Sequence, residues 1–290
     1  LKYYLKDAIE ADIPAMSIYQ WVRSANVGNE NSTAIKYLGY SMTYKNLFDE
    51  IDRCASAFRR LGVTQGEIVT LAIPNIPENV ICIYALNKIG AIANLIDLRC
   101  QGADLARYYD EVNSRIAVVC DLFLQNTIDI LEKTSIETLI VTSPFDHLPW
   151  ALRTVLKYKH RFHEENAKPR LHAWETFIGQ DEGQNYEASV KETDVACIMH
   201  TSGTTGESKG VMLSNKAMNS YSVNVAAINQ NGITEYKEQD KYLSGIPLFL
   251  AFGATACCHG PLCLSLELIL APDPSPEAGT KLIIKSGVNH

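Results

Sequence analysis

Between Thr201 and Gly210 the sequence reads Thr-Ser-Gly-Thr-Thr-Gly-Glu-Ser-Lys-Gly. Gly203, Gly206 and Gly210 allow positive φ and close backbone approach, so successive N–H groups can converge on one concave anion site. The hydroxyls of Thr201, Ser202, Thr204 and Thr205 add donors around that concavity, and Lys209 adds a mobile positive charge. All of these groups donate, which suits the oxygens of a phosphate. The plainer alternative is a solvated Ser/Gly linker.

The register differs from the Walker loop, G-x-x-x-x-G-K-[ST]. Counted from Gly203, the second glycine falls on Ser208 and the Ser/Thr on Gly210, so two fixed positions fail. Walker loops also open a helix, whereas Gly210-Val211-Met212-Leu213 begins with a poor helix former and continues with a β-branched residue. With the apolar run Val195-Ala196-Cys197-Ile198-Met199 ahead of it, the stretch reads strand, loop, strand. Other chemistry-bearing residues are scattered. The eight cysteines (54, 82, 100, 120, 197, 257, 258 and 263) form no C-x-x-C pair and read as reduced core thiols, and the seven histidines show no ligand spacing, so none is assigned to a metal.

The elements that must position the loop follow from periodicity. Leu47, Ile51, Cys54, Phe58 and Leu61 repeat at helical spacing after a capping Thr43, and Gly62 stops them. Apolar runs at Ile68 to Ile73, Ala91 to Leu95, Ile116 to Cys120, Thr138 to Val141 and Val195 to Met199 are separated mostly by helical stretches, clearest at Pro77 to Ile89 and Ala103 to Val112. That alternation predicts an α/β fold with a largely parallel sheet flanked by helices, and ligands in such sheets bind beyond the carboxyl ends of the strands. At 290 residues, 47% hydrophobic, the chain can bury a sizeable core and hold more than one domain. A net charge of -7 excludes the basic field of a nucleic-acid binder. Leu1 to Asp7 lacks the apolar core of a secretory signal, and the reduced thiols read as those of a cytoplasmic protein. The apolar tract Phe249 to Leu270 contains Gly253, His259, Pro261 and Glu267, and its alternating Leu262, Leu264, Leu266, Leu268 and Leu270 predict a core strand, not a membrane span.

From Ile198 to Lys209 the chain resembles the signature of the adenylate-forming enzymes: acyl-CoA and aryl-CoA synthetases, peptide-synthetase adenylation domains and firefly-type luciferases. An aliphatic residue and two spacers lead into a Ser/Thr-Gly-rich run ending in a basic residue. His200 stands where an aromatic is frequent and Ser208 where proline is frequent. The resemblance extends over residues 17 to 290, with Thr43-Tyr44, Asn75 and Gly90-Ala91 at similar positions. It implies two interleaved α/β subdomains, 71–237 bearing the loop and 15–70 joined with 240–290. It also implies ATP-dependent activation of a small-molecule carboxylic acid to an acyl adenylate, then transfer to a thiol, most often that of coenzyme A. Thr201, Ser202, Thr205 and Lys209 would lie on the phosphates, Gly203 and Gly206 within the same loop, and Thr204 nearest a Mg²⁺ carried by ATP. Pro247 to Gly253 matches a segment bordering the acyl pocket, which makes Phe249, Leu250, Phe252 and Gly253 candidate wall residues. Leu250 replaces a frequent histidine and leans the pocket towards a fatty acyl group, while Phe249 and Phe252 read equally well as core.

The resemblance also implies parts not found before His290: an aromatic-Gly-x-Thr-Glu segment, a ribose-binding aspartate and a catalytic lysine from a separate C-terminal domain. Asn231-Gly232-Ile233-Thr234-Glu235 is a decoy lacking the aromatic and lying too close to the loop. The expectation is therefore an incomplete N-terminal domain over residues 1–290, inactive alone, with catalytic residues beyond His290. Residues 144–172 are locally basic, with Arg153, Lys157, Lys159, Arg161, Lys168 and Arg170, and read as a solvated insertion in preference to a membrane contact. Two rivals remain open: an NTPase of another fold, yielding ADP and phosphate, and a non-catalytic nucleotide-binding module.

Overall fold

The structure is a computed structural model, and it describes residues 12–148, 170–179, 186–201, 209–230, 236–273 and 275–290. Among these residues the strands are β1 (Thr33–Tyr37), β2 (Tyr40–Thr43), β3 (Ile68–Ala72), β4 (Ile92–Leu95), β5 (Ile116–Cys120), β6 (Thr138–Thr142), β7 (Arg170–Ala173), β8 (Val195–Thr201), β9 (Lys209–Ser214), β10 (Lys241–Ser244) and β11 (Glu267–Leu270). The longer helices are α1 (Ile18–Ala25), α2 (Tyr44–Arg60), α3 (Pro77–Lys88), α4 (Gly102–Asp110), α5 (Asn215–Gln230) and α6 (Pro276–Ser286). The fold is α/β, and apart from the tract Phe249 to Leu270 the runs expected to be strands and helices form them with shifts of a residue or two at their ends.

The larger sheet has the order β7-β6-β5-β3-β4-β8-β9 and is parallel except for its edge strand β9. After β3 the chain places β4 on one side and then β5 on the other, so the strand order reverses around β3. A crevice opens at such a reversal, beyond the carboxyl ends of the strands. The smaller sheet, β10-β11-β1-β2, takes strands from both ends of the described chain: Ile35 pairs in parallel with Leu268, and Tyr242 with Leu268 on its other side. Helix α3 packs on β3, β4, α1 and α2 and is buried along its whole length; Pro77 starts it at a position where a missing N–H costs nothing. Helix α2 buries Leu47, Ile51, Cys54 and Phe58 on one stripe, and the Thr43 hydroxyl accepts from the Asn46 N–H at its start. One apolar core runs from Ile18 through α2 and α3 to Leu270, and a second lies under α4 around Leu105, Tyr109, Val119 and Leu139.

The tract Phe249 to Leu270 departs from expectation. Only Glu267–Leu270 is a strand; before it run a helical turn (Ala251–Ala254), a π turn (Thr255–His259) and another helical turn (Gly260–Cys263). The Leu262 to Leu270 alternation misleads because its first half is helix and the left-handed Ser265 (φ 56) breaks the chain before the strand begins. In the helical part Ala254, Ala256, Cys257, Cys258 and Leu262 are buried, and the π turn, closed by Gly260 N–H onto the Thr255 carbonyl, leads directly into Pro261. No helix among the described residues is long and apolar enough to cross a membrane. The basic residues from Arg153 to Lys168, and the decoy 231–235, lie outside the described residues.

Candidate functional site

Strand β8 ends on Thr201 and β9 begins on Lys209, and these two residues are register partners across the antiparallel pair. The strand-loop-strand order is therefore as expected, with both ends of the loop side by side beyond the carboxyl end of β8. Thr201 and Lys209 are exposed; Ser202, Gly203, Thr204, Thr205 and Gly206 lie outside the described residues. Gly210 pairs with His200, and a Cβ on it would meet Ile198 Cγ2 at 3.2 Å and His200 Cε1 at 3.5 Å, so a bare backbone lets the hairpin close tightly.

His200 holds the end of β8 from below. Its side chain is 5% exposed, its ring lies 4.4 Å from that of Tyr108, and Nε2 is 2.8 Å from Asn94 Oδ1. Asn94 donates its own amide to Thr70 Oγ1 and the Tyr108 carbonyl, so its oxygen accepts and His200 carries its proton on Nε2. Burial, helped by the Arg107 charge, pushes the imidazole down to about 4. At neutral pH His200 is a neutral anchor in the place where an aromatic ring is frequent.

Two cavities open at this end of the sheet. The larger, about 400 Å³, is walled by the ends of β3, β5 and β6 at Pro74, Phe123 and Phe145, by Tyr37 from the smaller sheet, and by Phe249. The smaller, about 320 Å³, lies beside His200 and takes Leu95, Arg99, Tyr108, Phe249 and Leu250. Phe249 thus borders both, and Leu250 borders one while 42% exposed. Phe252 is 57% exposed, which corrects its alternative as a core residue; Phe249 is half-buried against the core. Gly253 is buried, and a Cβ there would sit 2.0 Å from the Pro247 carbonyl oxygen, so only glycine permits this turn.

Three polar arrangements hold the surroundings. Asn75, 4% exposed, donates to the Ser244 and Ile246 carbonyls and accepts from the Leu248 N–H, stitching the segment before Phe249 onto the end of β3. His259 accepts from the Tyr84 hydroxyl at 3.0 Å and faces Asn219 Oδ1 at 3.0 Å, which ties the π turn to α3 and α5. His147 Nε2 lies 2.8 Å from the buried Glu78 carboxylate, with Tyr40 stacked at 4.3 Å, beside the wall of the larger cavity. Burial alone would lower His147, but the bond and charge of Glu78 hold it above its ordinary value. At the rim, Arg99 grips Asp97 through two side-chain bonds of 2.9 and 2.7 Å; burial raises that carboxyl, and the arginine brings it below its usual range. Of these residues, sequence reasoning singled out Asn75 by position and met His259 only as a break in an apolar tract. Arg99 and Asp97 are two residues apart, but the partners of His259 and His147 lie 40 to 175 positions away, and no spacing links them.

The fold is thus an α/β sheet with a strand-order reversal, an antiparallel hairpin at one edge and cavities towards a second sheet. The chain belongs to the AMP-binding enzyme family, which it matches over residues 22–290. It is 24% identical to the long-chain-fatty-acid–CoA ligase of Bacillus subtilis (strain 168), over 95% of this chain and 50% of that protein. Among solved structures it is similar in fold to a long-chain-fatty-acid-CoA ligase from Archaeoglobus fulgidus (TM-score 0.76, 20% identity, 96% of this chain and 51% of that one). It is likewise similar to an anthranilate CoA ligase in complex with anthranoyl-AMP (TM-score 0.72, 20% identity, 91% and 45%). The chain thus spans about half the length of these relatives.

Proposed function

We propose that this chain supplies the triphosphate-gripping hairpin and part of the acyl wall of a cytoplasmic enzyme that activates a carboxylic acid with ATP. The acid, a fatty acid above all, becomes an acyl adenylate and then a thioester of coenzyme A. The observation that carries this is the pairing of Thr201 with Lys209: the two strands that flank residues 202–208 end side by side, at the edge of a largely parallel sheet and near two cavities. On this basis Thr201, Ser202, Thr205 and Lys209 hold phosphate oxygens, Gly203 and Gly206 let the backbone close on them, and Thr204 stands nearest the metal. Phe249, Leu250, Phe252 and Gly253 border the acyl group, for which the apolar Leu250 and the name of the Bacillus relative favour a fatty chain. The same function divides the chain into 71–237 and 15–70 with 240–290.

The chemical problem is Coulombic. A carboxylate 4 Å from one phosphate charge is repelled by about 1 kcal/mol in water and about 4 kcal/mol in a partly buried site. Lys209 and the loop donors offset that repulsion and fix the outer phosphates, which leaves the first phosphorus open to in-line attack and stabilises departing pyrophosphate. Among the described residues no group of three or more His, Cys, Asp or Glu could hold a metal ion. A hydroxyl loop fits magnesium nonetheless, because magnesium on a triphosphate takes most of its oxygens from phosphate and water. When bound, it neutralises phosphate charge and polarises the phosphoryl oxygens. Replacing Lys209→Ala is expected to weaken ATP binding about tenfold or more in equilibrium dialysis, the worth of one charge-assisted contact; unchanged affinity refutes the assignment. These 290 residues alone are expected to bind ATP without carboxylate-dependent ATP-pyrophosphate exchange, and measurable exchange would contradict that.

A further inference from the structure

The smaller sheet carries a second cluster of charge, away from the hairpin. Lys36 pairs with Ile269 and Lys241 with Glu267, and Glu267 and Ile269 are two apart on β11, so all four side chains share one face of the sheet. Helix α6 borders that face and brings Lys281 and Lys285, one turn apart, to the same place. A trough of about 490 Å³ runs between α6 and the β1–β2 hairpin, with Ile269 and Tyr40 among its walls.

The charges around this trough are unbalanced. Lys36 is matched by Glu267 at 2.8 Å, and among the described residues the Lys241 ammonium donates to the uncharged Ser286 carbonyl, at 2.9 Å. Lys281 and Lys285 are exposed and form no ion pair among the described residues, and no acidic side chain lines the trough. Three ammonium groups therefore converge in a chain whose net charge is -7. Such convergence is unfavourable by itself and is relieved by a compact anion that sits between them. Lysine acts on phosphate as a point charge, so three flexible lysines suit the charge density of a phosphate better than the planar, bidentate geometry that arginine supplies.

We propose that this trough binds a phosphorylated anion of at least two negative charges, held by Lys241, Lys281 and Lys285. The phosphate comes from a soluble molecule or from a lipid headgroup, and the experiment separates the two. The 290-residue chain carrying Lys209→Ala, which weakens the hairpin's own contribution, is titrated with pyrophosphate by calorimetry at low salt and sedimented with vesicles containing a phosphatidylinositol phosphate. Pyrophosphate binding that weakens with salt and falls about tenfold or more on adding Lys281→Ala and Lys285→Ala supports a soluble ligand. Vesicle binding lost on the same pair of substitutions supports a headgroup. Both lysines are exposed, and circular dichroism of the variants checks that the fold is kept. The proposal is overturned if the Lys209→Ala chain binds neither probe, or if the paired substitution leaves both unchanged. Failure of the hairpin assignment shows separately, as ATP binding insensitive to Lys209→Ala.

Discussion

His259 gives the sharpest test of how the site is held. It is 1% exposed on the π turn, and with the Asn219 amide donating to the Met16 carbonyl, the Asn219 oxygen must accept from His259 Nε2–H. Its Nδ1 then accepts from Tyr84, so both nitrogens are satisfied only in the neutral ring, and burial pushes the imidazole down to about 3. In the unfolded chain a histidine titrates near its ordinary value of about 6.5. Below that pH the unfolded chain binds a proton that the folded chain refuses, so this residue's contribution is intact above about pH 6.5 and is lost as pH falls towards 3. At pH 5.0, about 1.5 units into that window, the loss is about 2 kcal/mol, at about 1.4 kcal/mol per unit. His259→Gln removes the titration while keeping an amide that can both donate and accept. Urea unfolding followed by tryptophan fluorescence at pH 7.5 and 5.0 should therefore show the gap between parent and variant shrinking by about 2 kcal/mol at the lower pH. His200 titrates in the same window but is present in both proteins and cancels. A gap equal at both pH values, within about 0.5 kcal/mol, refutes a buried neutral His259.

The His147 and Glu78 pair carries the opposite sign. Its folded value is raised, so its stabilisation is present below about pH 6.5 and fades as pH rises through the folded value, and the cost of His147→Gln in urea unfolding should be larger at pH 5.5 than at 8.5. Glu78, Asp146 and Glu50 are the charges that face it, and an equal cost at both pH values would remove the pair. Asn75→Leu deletes three hydrogen bonds and strands the Leu248 N–H, at a cost of about 3 kcal/mol in the same assay; a loss under about 0.5 kcal/mol would mean the segment before Phe249 is held by other means. Gly253→Ala should cost about 2 kcal/mol, because its Cβ meets a backbone carbonyl that cannot rotate away, and a neutral outcome would contradict that contact.

Much of this architecture was legible because it rests on local pattern. Ile116–Cys120 and Thr138–Thr142 are bounded runs of branched residues, and α2 has its cap, stripe and stop within one stretch of chain. The hairpin was legible too, since Gly210 and Val211 after Lys209 disfavour a helix. The helical turns between Ala251 and Cys263 were not, because a leucine alternation spanning the end of a helix, a turn and a short strand mimics period two. The anchors were hidden for another reason. Asn94 and His200, Asn75 and Leu248, and Glu78 and His147 meet only through the order in which strands and helices are stacked, and no single stretch contains both partners.

The smaller sheet sets a schedule for biosynthesis. Ile35 finds its parallel neighbour only when Leu268 has been made, roughly 230 residues later, which at about 5–20 residues per second is a wait of about 10 to 45 s. Through that interval β1 and β2 can form a hairpin with one edge bare, while β3 to β8 are able to assemble. Emerging polypeptide of this kind is a natural client for chaperones that shield open strand edges.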